Sequence, residues 1–185
     1  ICVCLVGSEM CIRDRIETGK EEVLFQTNWD VMYSYLSESE KYRVTAVNED
    51  GKNTLFIKNL VNNSDVFFHE IPDGDIKEVR ISKSEEKIRL TLGTSKSPNN
   101  IYVYEMDSKK LKKLTETLNP EINANDLVEA EVVRYPSFDG LEIPAIYYKP
   151  LDATNRNKVP ALVWVHGGPG GPSRTGYSSL SLIHI

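Results

Sequence analysis

A repeated register constrains this chain more than any other feature. A shift of 46 positions lays Glu40, Lys41, Arg43, Thr45 and Asn53 on Glu86, Lys87, Arg89, Thr91 and Asn99. The same shift lays Tyr42 and Val44 on Ile88 and Leu90, and Leu55, Phe56 and Ile57 on Ile101, Tyr102 and Val103. Upstream, Tyr33 and Tyr35 fall on Val79 and Ile81. Short runs that alternate apolar and polar residues predict strands over 31–36, 42–47, 54–57, 65–69, 78–82, 88–92, 101–104 and 110–115. The turns between them carry suitable residues: Glu49-Asp50-Gly51, Asn62-Asn63-Ser64, Asp73-Gly74 and Ser97-Pro98-Asn99-Asn100. A period of ~40–50 residues with four strands per unit is the size of a β-propeller blade. A blade buries its faces only against its neighbours. One antiparallel sheet with chance similarity stays open as the alternative. His69 falls in the run 65–69 and reads as a strand or turn residue.

Composition narrows the class. The 185 residues are 40% hydrophobic and 26% charged, which excludes disorder across the whole chain and a disulfide-dense miniature scaffold. No apolar run approaches the ~18–20 residues needed to span a bilayer. The formal net charge of −5 offers no broad basic surface for nucleic acid. The cluster Lys109, Lys110, Lys112 and Lys113 reads as one solvated face.

The cysteines, Cys2, Cys4 and Cys11, all lie in the first stretch, where a disulfide or metal reading would begin. The genetic code argues against it. Met10-Cys11-Ile12-Arg13-Asp14 can be encoded by DNA whose opposite strand reads Leu-Ser-Leu-Ile-His and opens an Ile codon. The chain ends Leu180-Ser181-Leu182-Ile183-His184-Ile185. Two unrelated termini have little reason to be the two strands of one duplex, and the shared sequence resembles a transposon end used in library preparation. Residues 1–15 and 180–185 are therefore expected to be translated adapter, standing outside the native fold. On that expectation His184 is no catalytic base and the cysteines carry no redox signal. The compartment stays unassigned, with cytoplasmic and periplasmic or secreted settings both open.

After Asn119-Pro120 the pattern changes. Two strands are predicted over 129–135 and 141–149, joined at Phe138-Asp139-Gly140, since Asp-Gly between alternating runs signals a hairpin. Pro144 suggests that the second is an edge strand or bulged. The run Val159-Pro160-Ala161-Leu162-Val163-Trp164-Val165 is nearly all apolar, as a strand buried on both faces would be. It ends in His166-Gly167-Gly168-Pro169-Gly170-Gly171. In α/β-hydrolases the loop after the third strand supplies one backbone N–H of the oxyanion hole, and HGGG-type loops are a known form. Glycine lets the developing oxyanion approach the donor, and one such fixed donor is worth roughly 3–4 kcal/mol. Gly168 is the expected donor, because Pro169 lacks an N–H and restricts the residue before it; Gly167 is the fallback.

The stretch 133–177, reading VRYPSFDGLEIPAIYYKP and then VPALVWVHGGPGGPSRTGY, resembles the start of the catalytic domain in the prolyl oligopeptidase family of serine peptidases. Its dipeptidyl and acylaminoacyl peptidase branches are the most similar. The resemblance implies a mixed architecture: antiparallel β-propeller blades followed by the first strands of an α/β-hydrolase domain. It divides the chain into a partial propeller of about two blades over 16–127 and the N-terminal part of the hydrolase domain over 128–179. Proline iminopeptidase-like hydrolases share HGGPGG but lack a propeller, and the upstream repeat argues against them. By resemblance His166 and Pro169 shape the oxyanion loop, and His166 is not the triad base.

The family builds its triad on a G-x-S-x-G elbow followed by Asp and His. No such elbow occurs here, and Gly171-Pro172-Ser173-Arg174-Thr175 lies too close to the glycine loop to serve. Ser173 reads as a loop or cap residue. The triad is thus expected beyond residue 179 in a longer parent, with the chain as given inactive. The implied function is hydrolysis of short peptides through an acyl-enzyme, with the propeller gating access and with no metal or cofactor. The alternative is a non-catalytic interaction protein: a propeller joined to a hydrolase fold that has lost its nucleophile.

Overall fold

The structure, a computed structural model, describes residues 2–4, 8–15, 19–68, 70–168 and 171–178. His69, Pro169, Gly170 and the C-terminal segment 180–185 lie outside the described residues. The first sheet runs in spatial order β1 (Cys2–Cys4), β2 (Ser8–Arg15), β3 (Lys20–Leu36), β4 (Tyr42–Glu49), β5 (Lys52–Asn59) and β6 (Ser64–Asp65). The second contains β7 (Asp75–Ile81), β8 (Lys87–Thr94), β9 (Ser97–Glu105) and β10 (Lys110–Lys113), again neighbour to neighbour. A third is the hairpin β11 (Ala130–Pro136) and β12 (Glu142–Tyr148). All pairings are antiparallel. Among the described residues the one helical element is a 3₁₀ turn, Ala124–Asp126, where the Asn123 side chain accepts the Asn125 N–H. No helix of the described residues is long and apolar enough to cross a membrane.

β3–β6 and β7–β10 are two copies of one four-stranded meander, and their features fix the repeat. The bulge at Val31/Tyr33 recurs at Ile76/Glu78, 45 residues on. In the next turn the Ser37 N–H donates to the Tyr42 carbonyl (2.8 Å), as the Ser82 N–H does to Lys87 (2.9 Å). The Ser37 and Ser82 hydroxyls accept from the same two partners' N–H groups, at 3.0 and 3.1 Å. Glu40 and Glu85 hold the left-handed position of these turns, at φ 60° and 58°. From β9 onward the spacing becomes 46, as the pairs Asn59↔Ser64 and Glu105↔Lys110 show. The extra residue sits in a bulge where Pro98 and Asn99 oppose Gly93. Ser97–Asn100, expected as a turn, is therefore the bulged start of β9, and Ser95-Lys96 makes the turn.

This corrects the ungapped 46-residue register and changes which faces meet. Across the first sheet Tyr35, Val44 and Ile57 are cross-strand partners. Their counterparts in the repeat are the partners Arg80, Arg89 and Val103. Yet the residues that pack with Tyr35, Val44 and Ile57 in the central core are Val79, Leu90 and Tyr102, on the opposite face of the second sheet. Opposite faces meet, front to back. Radially stacked blades require that relation, whereas a sandwich of two like faces would not show it.

The shared core contains Tyr42, Val44, Ile57, Val79, Ile88, Leu90, Leu92 and Tyr104, all nearly solvent-free. Each such side chain contributes about 1.5–3 kcal/mol by leaving water. The Tyr35 hydroxyl crosses the seam to donate to the Val79 carbonyl at 2.8 Å. Phe68, in the connection between the sheets, packs edge-on against Tyr104 with centroids 4.9 Å apart.

One further expectation changes, over residues 159–165. Residues 2–4 and 8–15, the stretch expected from the sequence to be adapter-derived, form β1 and β2, with β2 paired along Lys20–Gln26 of β3. An unpaired strand edge is a template for any extended segment, and β3 offers a long one. The apolar run 159–165 forms no strand. It is irregular and exposed, with Val163 and Val165 each 84% accessible. A strand buried on both faces needs neighbours on both edges, and among the described residues β11 and β12 pair only with each other. The expected hairpin does form: the Ser137 N–H donates to Leu141 O (2.7 Å), Asp139 Oδ1 accepts the Leu141 N–H (3.1 Å), and Pro144 sits in a strand with one neighbour.

Candidate functional site

The glycine-rich loop follows the exposed run, and its described residues His166, Gly167 and Gly168 are exposed as well. His166 Nδ1 lies 2.9 Å from the Gly167 carbonyl oxygen, so the tautomer protonated at Nδ1 donates there. A Cβ built on Gly167 would meet no atom within 4 Å. Groups of His, Cys, Asp or Glu that could hold a metal are absent among the described residues.

Beyond Gly171 the chain is docked against the sheets. Thr175 donates its N–H to the Gly51 carbonyl at 3.1 Å. The Gly176 carbonyl accepts from the Tyr148 hydroxyl at 3.3 Å. Gly51 has φ +78°, and a Cβ there would stand 3.0 Å from the Ser173 carbonyl oxygen. Glycine is favoured on both counts: the left-handed backbone and the close approach. Between these contacts Arg174 turns inward. Its Nη1 reaches Asn53 Oδ1 at 3.2 Å and Asp75 Oδ1 at 3.3 Å.

Asp75, the first residue of β7, is fully buried. A buried carboxylate is tolerable only when it is paired and hydrogen-bonded. It accepts the Asn53 backbone N–H at 2.9 Å, takes the Lys77 ammonium on its other oxygen, and takes Arg174. The Asn53 amide in turn donates to the Ile76 carbonyl at 2.9 Å. One asparagine thus joins β5, β7 and the segment that follows the glycine loop. Gly74 permits this start of β7, because a Cβ there would lie 2.3 Å from the Gly93 carbonyl oxygen.

The neighbouring turn holds the hairpin. Asp50 pairs with Arg134 of β11. The equivalent turn of the second unit is Ser95-Lys96. There the Ser95 hydroxyl donates to Glu129 (2.7 Å) and accepts the Ala130 N–H (3.1 Å), and Lys96 stands 3.5 Å from Glu129. A cleft of about 360 Å³ remains beside these turns, walled by Asp50, Lys52, Asp73, Ser95, Glu129 and Thr175. Its walls carry both signs of charge, and it lies on the seam between two parts of the chain.

Sequence reading found the glycine loop and missed the junction that anchors its far side. The signals were present in pieces: Gly51 and Gly74 in recognised turns, and a lone arginine in a Gly-, Pro- and Ser-rich string. Nothing in spacing alone connects residues 53, 75 and 174.

No family profile and no curated protein sequence matches the chain. Solved structures do. A structure from a study of two prolyl endopeptidases superposes with a TM-score of 0.63 at 12% identity, over 78% of this chain and 22% of that one. Prolyl oligopeptidase B from Galerina marginata, bound to a 35mer hydrolysis and macrocyclization substrate, gives 0.59 at 18% identity over 74% and 20%. The same enzyme bound to a 25mer macrocyclization substrate gives 0.58 at 19% identity. The chain has the fold of part of a prolyl oligopeptidase. It spans about a fifth of the length of these structures. Their similarity lies with the propeller-like sheets, where the front-to-back packing was found.

Proposed function

We propose that this chain is a piece of a serine peptidase of the prolyl oligopeptidase type, hydrolysing short peptides through an acyl-enzyme, with the propeller limiting access. The observation that carries this reading is order along the chain. A propeller-like pair of sheets with prolyl oligopeptidase fold is followed, after the hairpin β11–β12 and an apolar run, by the string His166-Gly167-Gly168-Pro169-Gly170-Gly171. In this reading 16–127 belongs to the propeller and 128–179 opens the hydrolase domain, while 1–15 and 180–185 are adapter-derived. The backbone N–H of Gly168 donates to the oxyanion, with Gly167 as the alternative, and His166 and Pro169 shape the loop. The triad belongs to the longer protein.

The test is to read the source gene from DNA prepared without transposon ends and express its product. A G-x-S-x-G elbow after a strand, with serine-inhibitor-sensitive hydrolysis of aminoacyl or dipeptidyl chromogenic substrates, is the expected result. An elbow position without serine, and no hydrolysis, would make the protein a binding module. Recovery of the same terminal codons in frame would overturn the adapter assignment.

A further inference from the structure

We propose that Arg174 is a positioning residue: it anchors the far side of the glycine-rich loop to the propeller-like sheets through Asp75 and Asn53, and so sets where that loop stands for the reaction. The inference rests on the peptidase reading for its catalytic half and on geometry alone for its anchoring half.

The geometry is specific. Among the groups that satisfy the buried Asp75 carboxylate, the Asn53 N–H and Lys77 come from the sheets themselves, and only Arg174 comes from the segment after the glycine loop. Arg174 stands six residues past Gly168. Its guanidinium, about a quarter exposed at the side chain, serves two acceptors on two different strands. Both bonds leave one nitrogen, Nη1, whose direction the planar guanidinium fixes; a lysine ammonium is a strongly hydrated point charge on a shorter, flexible stem without that fixed direction. The backbone on either side is held as well, by Gly51 against Ser173 and Thr175 and by Tyr148 at Gly176. An oxyanion donor acts only if it is already in place when charge develops, and a displacement of about 1 Å can cost about a hundredfold in rate. A fixed point six residues away, tied to a buried charge, shortens the span of chain over which the loop can move.

Two measurements test the two halves. In the chain as it stands, amide hydrogen exchange of Thr175 reads the anchor. Arg174→Gln should speed it by about tenfold or more, because a hydrogen bond to a charged group is lost. Arg174→Lys should fall between, and the amides of β8 should not change. Asp75→Asn, which keeps an acceptor for Asn53 but loses the charge, should reproduce the Arg174→Gln effect. Should that variant fail to fold, Arg174→Gln alone decides. Unchanged Thr175 exchange in Arg174→Gln overturns the anchor.

In the full-length protein, Arg174→Gln should lower kcat on a small ester about ten- to hundredfold while KM moves less than about twofold. Free guanidinium should restore part of the rate to Arg174→Ala. Loosened exchange with unchanged kcat would leave the anchor purely structural and overturn the positioning role while the peptidase reading survives. Absence of hydrolysis by the unaltered protein would overturn the peptidase reading and the catalytic half with it, and Thr175 exchange would still decide the anchor.

Discussion

Replacing Gly51 by alanine separates docking at the junction from backbone strain, because Gly140 provides the control. Both glycines hold positive φ, +78° and +84°. A Cβ on Gly140 would meet nothing within 4 Å, whereas one on Gly51 would stand 3.0 Å from Ser173 O and 3.6 Å from Arg174 Cα. The left-handed conformation costs a non-glycine residue about 1–2 kcal/mol. Restricting the unfolded chain returns about 0.4–1 kcal/mol of that. Gly140→Ala should therefore cost about 1 kcal/mol, which in a chain of this length lowers Tm by about 2–4 °C. Gly51→Ala adds displacement of the Ser173–Thr175 backbone and loss of the bond from the Thr175 N–H, worth about 0.5–1.5 kcal/mol net. The sum is about 2 kcal/mol, or about 4–8 °C. Urea unfolding of the two variants gives the difference, and exchange of the Thr175 amide shows where it arises. Equal losses in both variants, with Thr175 still protected in Gly51→Ala, would refute the docked junction.

Truncating Leu90, fully buried between the sheets, should cost about 2–5 kcal/mol by urea unfolding, against less than about 0.5 kcal/mol for the half-exposed Leu114. Burial, reinforced by the neighbouring Tyr33, pushes the Tyr35 phenol up to about 12. Its folded pKa lies above the unfolded value near 10, so the stability it contributes is complete below pH ~10 and is lost as pH rises through about 12. Tyr35→Phe should remove that alkaline step from a phenolate absorbance titration and cost about 1 kcal/mol for the bond to Val79. In the full-length protein Gly168→Val should lower kcat/KM on esters and peptides alike by roughly 100–1000-fold with folding intact. Near-parental rates would remove Gly168 from the oxyanion hole.

The strands were legible because their alternation is local. The repeat was legible as a fact and misread as a register. A blade packs on both faces, so apolar residues occupy both phases of its strands, and a shift of 46 lays Val44 on Leu90 although they stand on opposite faces of their sheets. Turn chemistry carries the true phase: Ser37 and Ser82 make the same two bonds, and Glu40 and Glu85 share the left-handed position, where glutamate has no special preference that a sequence would reveal. The one-residue bulge at Pro98 and Asn99 then restored agreement over β9 and concealed the slip. Residues 159–165 show the opposite failure. Their apolarity is plain, but a buried parallel strand is a property of its neighbours, which periodicity within the run cannot supply. The Asp75 cluster was illegible for a similar reason: its members lie 22 and 99 residues apart, and only the fold makes them adjacent.

The repeat also accounts for where the two parts of the chain meet. Because the units stack with a common orientation, their equivalent turns, Asp50-Gly51 and Ser95-Lys96, emerge at the same end of the sheets. Each has become a different receptor. The first presents a carbonyl, a carboxylate and room for a passing backbone, and receives Thr175 and Arg134. The second presents a hydroxyl and an ammonium, and receives Ala130 and Glu129. Docking on one turn alone would leave the following segment free to pivot; docking on two, with Arg174 reaching past both to a buried charge, fixes its direction. Loss of Arg174 should therefore loosen residues 171–178 while leaving Glu129 and Ala130 on Ser95. Hydrogen exchange resolved along the chain can show this: if the Ala130 amide loosened together with Thr175, the two attachments would be one cooperative unit and the separate role assigned to Arg174 would fail.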